Sequence, residues 1–306
     1  MDLQPSETEE AIRAASEAYL KDAFPLSEAR ARHPNAWTRM ADMGWFGISL
    51  SEDAGGIAMD YGAEALVFAE LGRFLAPVGA IAGAVSARLA HAAGDNVLAA
   101  EIAGGRRRVA LGLDNGDGRL RLLDVDGADL VLIVGSDNAD IHALPANAEP
   151  TPCLDPSVAQ TMAPLPSGAP IARVTGPSAM LHQQIAAAAF ALGCAEAGRD
   201  MAVDYAKIRE QFGKPIGSFQ ALKHIMADMA VRCSAARAQV LFAALSLEGG
   251  RSDAPFHVAV AKRMADAAAI DNGRANIQVH GGIGMTEEAD PHLVLKRAHL
   301  LSFVSP

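Results

Sequence analysis

The segment Ser218–Gly250, SFQALKHIMADMAVRCSAARAQVLFAALSLEGG, decides the fold class. Within it Phe219, Leu222, Met226, Met229, Cys233, Ala236, Val240, Ala243 and Leu247 recur at alternating steps of three and four. That spacing keeps one stripe of a helix apolar for more than four turns. Ser218 stands where an N-cap hydroxyl could accept a first-turn N–H, and Gly249-Gly250 ends the pattern. A seam this long needs other long helices to cover it. Ser178–Ile208, Pro255–Val279 and Asp290–Phe303 supply them, and the small residues Ala186 to Ala189 let backbones approach closely. The expectation is a C-terminal four-helix bundle.

Outward from the bundle, the chain divides into three zones: a helical domain over 1–105, a small β domain over 106–175, and the bundle over 176–306. The middle zone sets short apolar runs, Leu120–Leu123 and Leu130–Val134, between Asp, Gly and Asn clusters, which is strand and turn texture. Its proline-rich tail, Pro145 to Pro170, reads as irregular.

Composition removes several classes of function. With 26 Lys+Arg against 36 Asp+Glu, net −10, the chain lacks the basic footprint of a nucleic-acid binder. Arg106-Arg107-Arg108 reads as a solvated face at a domain edge, with a phosphate contact as the alternative. Half of the residues are hydrophobic and 20% charged, which excludes disorder. No stretch reaches the roughly 18 unbroken apolar positions of a membrane span. The acidic Met1–Glu10 is no signal peptide, and Cys153, Cys194 and Cys233 form neither a disulfide framework nor a zinc site. A reduced, cytoplasmic protein is expected.

Single motifs say little. No Glu has a His three residues later, so a di-metal carboxylate bundle is excluded. Gly281-Gly282-Ile283-Gly284 lacks the surroundings of a dinucleotide fold or P-loop and alone would be a turn between helices. Combinations say more. Tyr205 to Ile216 (YAKIREQFGKPI) runs into Phe219 to His224 (FQALKH) and then Ala227 to Ala230, with Gln278-Val279-His280-Gly281-Gly282-Ile283-Gly284 downstream. Met43 to Ile48 (MGWFGI) and Glu52 to Gly56 precede them. In this order the pieces closely resemble the acyl-CoA dehydrogenase family of flavoproteins.

The resemblance implies an N-terminal helical domain, a central β domain and a four-helix bundle, FAD as cofactor, and α,β-dehydrogenation of an acyl-CoA. By position, Arg209 resembles the residue that reaches the FAD pyrophosphate of a neighbouring subunit, where a guanidinium fork suits phosphate. Phe212 would lie near the adenine, Gln220 would bond the same part of the cofactor, and Gln278, Gly281 and Gly282 would meet the adenosine half. The plainer alternatives are a helix-end ion pair of Arg209 with Glu210 or Asp204, and Phe212 as core.

The departures matter equally. The family's usual base position, counted from Gln278, falls on Ser305, and the alternative position on the first bundle helix falls on Gln183. Neither a hydroxyl nor an amide has the pKa a general base needs. Glu287, Glu288 and His182 are weaker candidates, His182 reading better as a satisfied helix histidine. The stretch Val109 to Gly118 lacks the Thr and Ser that cradle the flavin ring in relatives. Kept nucleotide contacts beside a lost base and cradle imply a subunit of a heteromer, α2β2, whose longer paralogue supplies base and ring pocket. Such complexes act in steroid and bile-acid degradation, passing electrons to a separate acceptor. The alternatives are a structural or regulatory relative without cofactor, and a complete homo-oligomeric flavoenzyme.

Overall fold

The computed structural model describes residues 3–30 and 35–305. Helices α1 (Glu7–Ala23), α2 (Ala36–Asp42), α3 (Tyr61–Arg73), α4 (Gly79–Ala92) and α5 (Asn96–Ala103) come first. Strands β1 (Val109–Asp114), β2 (Arg119–Leu123), β3 (Leu130–Val134), β4 (Asn138–Ala143), β5 (Glu149–Pro150), β6 (Gln160–Pro164) and β7 (Ala172–Thr175) follow. Then come α6 (Ser178–Ile208), the hairpin β8 (Glu210–Gln211) and β9 (Lys214–Pro215), α7 (Gln220–Glu248), α8 (Ala254–His280) and α9 (Pro291–Leu301). The expected fold is present: mainly α, with a small β layer and a C-terminal bundle of α6 to α9.

Helix α6 is the axis of the molecule. From Leu181 to Gly198 every residue is buried, so this helix is covered on all sides rather than presenting one face to solvent. It crosses α3 at two glycines. A Cβ on Gly193 would lie 1.9 Å from the Ala69 carbonyl oxygen, and one on Gly72 would lie 2.0 Å from that of Phe190. No side chain fits at that crossing. Polar ties fix the other faces: Arg237 on α7 grips the Glu196 carboxylate at 2.7–3.0 Å, and Asn272 on α8 donates to the Ala195 and Met229 carbonyls, both at 3.1 Å.

The predicted seam of α7 is real, with Met229, Cys233, Ala236, Val240 and Ala243 buried. Its start is not where the sequence placed it. Ser218 closes a 3-10 turn (Ile216–Ser218) and makes no cap; Phe219 is the N-cap. Pro215 leads into that extra turn and moves the helix start past Ser218. By length and composition α7 alone among the described helices could cross a membrane, and a third of its most apolar window is buried here.

The sheet runs β5-β6-β2-β1-β3-β4-β7, with β1 and β3 parallel and the other pairs antiparallel. Alternation splits its faces: Leu111, Leu130, Leu132 and Ile141 join the main core, while Leu120, Leu122, Val131 and Ala163 form a cluster on the opposite side. Pro145–Pro170 is less irregular than expected. Pro150 sits on the edge strand β5 and Pro164 ends β6, while the other prolines lie in the connecting loops, leaving Gln160–Ala163 free to pair with β2. The arginine run serves structure: Arg107 pairs with Asp129, and the Arg108 guanidinium lies over Trp37.

Candidate functional site

The C-terminal ends of α6 and α8 and the start of α7 meet at one end of the bundle. A hairpin turn there has Phe212 at φ +54° and Gly213 at φ +79°, joining β8 to β9. Tyr205 and His280 stack across the gap between α6 and α8 with centroids 4.1 Å apart, and burial holds His280 below its ordinary pKa. Around this plug stand Arg209, Phe212, Gln220, Gln278, Gly281 and Gly282, all exposed.

The exposure is informative. Phe212 is 91% exposed, so the core reading of that residue is wrong; the left-handed turn throws it outward. Arg209 pairs with neither Glu210 nor Asp204, and Asp204 goes to Lys207 at 2.9 Å. Among the described residues the side chains of Arg209, Gln220 and Gln278 have no hydrogen-bond partner. A Cβ on Gly281 or Gly282 would meet nothing within 4 Å, so the loop backbone lies open to an approaching group.

The other end of α6 holds a second site. Gln183 and Ser305, 122 residues apart, line one cavity of about 390 Å³ together with Gly112, Asp114, Arg121 and Phe303. Gln183 is 1% exposed and its Oε1 has no partner, as is the case for the buried Nε of Arg121. Both expected base positions and the β1 stretch therefore converge. His182 lies outside this cavity and its Nε2 is committed to Glu64, meeting Oε1 at 2.5 Å. Glu287 and Glu288 are exposed beyond the glycine loop and line no part of it.

Residues 6–96 match the acyl-CoA dehydrogenase N-terminal domain family, and residues 177–305 match the C-terminal domain family. Acyl-CoA dehydrogenase IpdE2 of Mycobacterium tuberculosis is 34% identical over 90% of this chain and 83% of its own length. The chain belongs to the acyl-CoA dehydrogenase family. FadE34 of the same organism, also an acyl-CoA dehydrogenase, is 33% identical over 94% of the chain, which spans 42% of that relative's length. Two solved structures share the fold. The steroid ACAD Tcur3481–Tcur3483 is 26% identical, with a TM-score of 0.80 over 97% of this chain and 93% of its own. The ChsE4–ChsE5 complex from M. tuberculosis is 21% identical, with a TM-score of 0.83 over 100% and 95%.

The two ends of α6 in this family member differ in their fit to FAD. At the hairpin end the donor set suits a pyrophosphate and a nucleoside: an unpaired guanidinium, two free amides and an open glycine backbone. At the cavity end, the β1 lining offers backbone, Asp114 and Asn115 but no hydroxyl row. Gln183 and Arg209 are 26 residues apart on α6 and its cap, which is roughly 39 Å of helix. The two sites therefore stand at opposite ends of one long helix. Asp114, Arg121 and Phe303 went unnoticed in the sequence because only the packing of β1 and β2 against the chain's last turn brings them to Gln183.

Proposed function

We propose that this chain is the non-catalytic subunit of a heteromeric, FAD-dependent acyl-CoA dehydrogenase, with α2β2 stoichiometry and a longer paralogue as partner. One observation carries the reading. The residues expected to face the nucleotide are present, and the side chains of Arg209, Gln220 and Gln278 are unpaired among the described residues, at one end of α6, while both expected base positions at the other end are an amide and a hydroxyl. Each cofactor would then lie between two chains, with this chain taking the nucleotide half. We likewise take 1–105, 106–175 and 176–306 as its domains.

In that role Arg209 would offset the pyrophosphate charge with a planar fork of donors, and Gln220 and Gln278 would fix the adenosine half by amide hydrogen bonds. Gly281 and Gly282 would let backbone N–H groups come within bonding distance, and Phe212 would cover the adenine. FAD, when bound, would supply a hydride acceptor for α,β-dehydrogenation of an acyl-CoA, a reaction that also needs a carboxylate to remove the α proton. That carboxylate would come from the partner, since Gln183 and Ser305 cannot accept a proton at working pH. The electrons would leave to a separate acceptor protein, in the cytoplasm. A steroid- or bile-acid-derived CoA ester is the substrate class we favour. The resemblance to the short subunits of steroid-degrading enzymes supports it, as does the likeness to a steroid ACAD.

The test is purification alone and with the longer paralogue. The lone chain is expected to carry little absorbance at about 450 nm, where oxidised flavin absorbs, and the co-expressed complex is expected to be yellow and bleached by substrate. A yellow homo-oligomer of this chain that an acyl-CoA bleaches refutes the proposal. Asp114, the one carboxylate among the cavity's lining residues, favours a second reading in which the chain supplies its own base.

A further inference from the structure

A different cavity, about 210 Å³, opens between α3, α4, β7 and the start of α6. It is unrelated to the cofactor ends described above. His182 lines it, while the next residue, Gln183, lines the other cavity. Its polar wall consists of donors. The Arg88 guanidinium stands over the Tyr61 ring, 4.6 Å from the centroid, and donates one N–H to the Ser49 carbonyl. Among the described residues no carboxylate lies within 4 Å of it, so most of its five N–H donors are unspent. Tyr61 is 7% exposed, and its hydroxyl has no hydrogen-bond partner among the described residues.

The nearest acid is already committed. Both Glu64 oxygens are taken, one by the Ser49 hydroxyl at 2.6 Å and one by His182 Nε2 at 2.5 Å. This carboxylate orients the imidazole, leaving Nδ1 of His182, a residue 2% exposed, without a partner among the described residues. The cavity also abuts the first turn of α6, which has no side-chain cap and no acidic residue, so free N–H groups and the helix dipole add positive potential. The opposite wall is apolar, formed by Val85, Leu89 and Val174.

We propose that this cavity binds a small amphiphilic carboxylic acid, its carboxylate held by Arg88 and Tyr61 and its short apolar body against Val85 and Leu89. A guanidinium stacked on an aromatic ring and left without a carboxylate is half of a bidentate pair. The apolar wall excludes a bare inorganic anion as the preferred occupant, because such an ion would leave that wall facing water.

The test uses the full-length chain, with its partner subunit where the two copurify, titrated calorimetrically with hexanoate, hexanol and inorganic phosphate. Saturable hexanoate binding is expected, with hexanol and phosphate each weaker by about tenfold or more. Arg88→Met is expected to weaken hexanoate by about tenfold or more, and Tyr61→Phe by roughly three- to tenfold. Val231→Ala, at an exposed position on α7 that lines neither cavity, is expected to leave hexanoate affinity unchanged. Arg88 also holds the Ser49 carbonyl, so if Arg88→Met fails to fold, Tyr61→Phe decides, since it removes only the hydroxyl. No saturable hexanoate binding, equal binding of hexanol, tighter binding of phosphate, or wild-type affinity in the deciding variant overturns the proposal.

Discussion

Arg297 on α9 donates from Nε to Asp155 Oδ2 at 2.6 Å, with both side chains almost fully buried and 142 positions apart in the chain. The same guanidinium reaches the Ser157 hydroxyl at 2.8 Å and the Ala76 carbonyl at 2.5 Å. One cation thus ties α9, the β5–β6 loop and the turn before α4 together, just ahead of Phe303 and Ser305. Burying it costs several kcal/mol of desolvation, which only this full set of acceptors offsets.

Removing one partner is therefore costly. Asp155→Ala leaves Arg297 buried without its counter-charge and is expected to lower unfolding free energy by about 3–5 kcal/mol. Combining it with Arg297→Met should recover a large part of that loss, because the stranded charge is gone. Urea midpoints of the two variants check this; a double variant as unstable as Asp155→Ala would show that the cation does not matter.

Glu64 gives a pH-dependent counterpart. Burial alone would raise its pKa, but the charge and hydrogen bond of His182, the Ser49 hydroxyl and Arg88 outweigh burial and hold it below its ordinary value of 4.5. A carboxyl with a depressed folded pKa contributes stability that is complete above its unfolded pKa and drains as pH falls through the folded one. Glu64→Gln should thus be less stable than wild type at pH 7, by about 1–3 kcal/mol, with the gap closing only below pH 4.5. Urea titrations at stepped pH measure it. A gap that stays constant down to pH 3 would mean that another group stabilises this site.

Legibility followed the range of the interactions. The alternating three-and-four spacing of α7 and the boundaries of α6 were readable because helical periodicity is a local property, and α6 runs Ser178–Ile208 as expected. The start of α7 was not readable, because Pro215 inserts a 3-10 turn that a capping rule centred on Ser218 does not weigh. The hairpin residues were found one by one through resemblance. That Arg209 stands unpaired depends on Asp204 choosing Lys207, which no motif encodes. The Glu64–His182 contact spans 118 residues, and the cavity joining Gly112, Gln183 and Ser305 spans three parts of the chain. Only packing brings such residues together.

Asp114 separates the two functional readings. It lines the cavity of Gln183 and Ser305, while its Oδ1 accepts the Gly116 N–H at 2.8 Å, an ordinary turn contact. If the partner supplies the base, Asp114→Asn should leave the turnover of the complex within about twofold of wild type, since an isosteric amide keeps the turn. General-base work is worth about 10²–10⁴-fold, so a loss of that size, confined to kcat, would assign the base to this chain. Steady-state rates across pH distinguish the two, because a lost base also removes the acidic limb of the profile.

Arg209→Ala probes the nucleotide end in the assembled complex. Among the described residues the guanidinium has no hydrogen-bond or ion-pair partner to lose, so melting temperature should stay within about 2 °C of wild type. Flavin retention should not. Loss of charge-assisted bonds to a pyrophosphate costs about 1.5–3 kcal/mol, which is roughly a 10- to 150-fold weaker hold on FAD. Arg209→Lys should recover only part of it, since an ammonium keeps the charge but not the planar fork. The flavin-to-protein ratio after gel filtration reads the effect directly. A complex that keeps its full flavin complement with alanine at this position would show that the nucleotide half is held elsewhere.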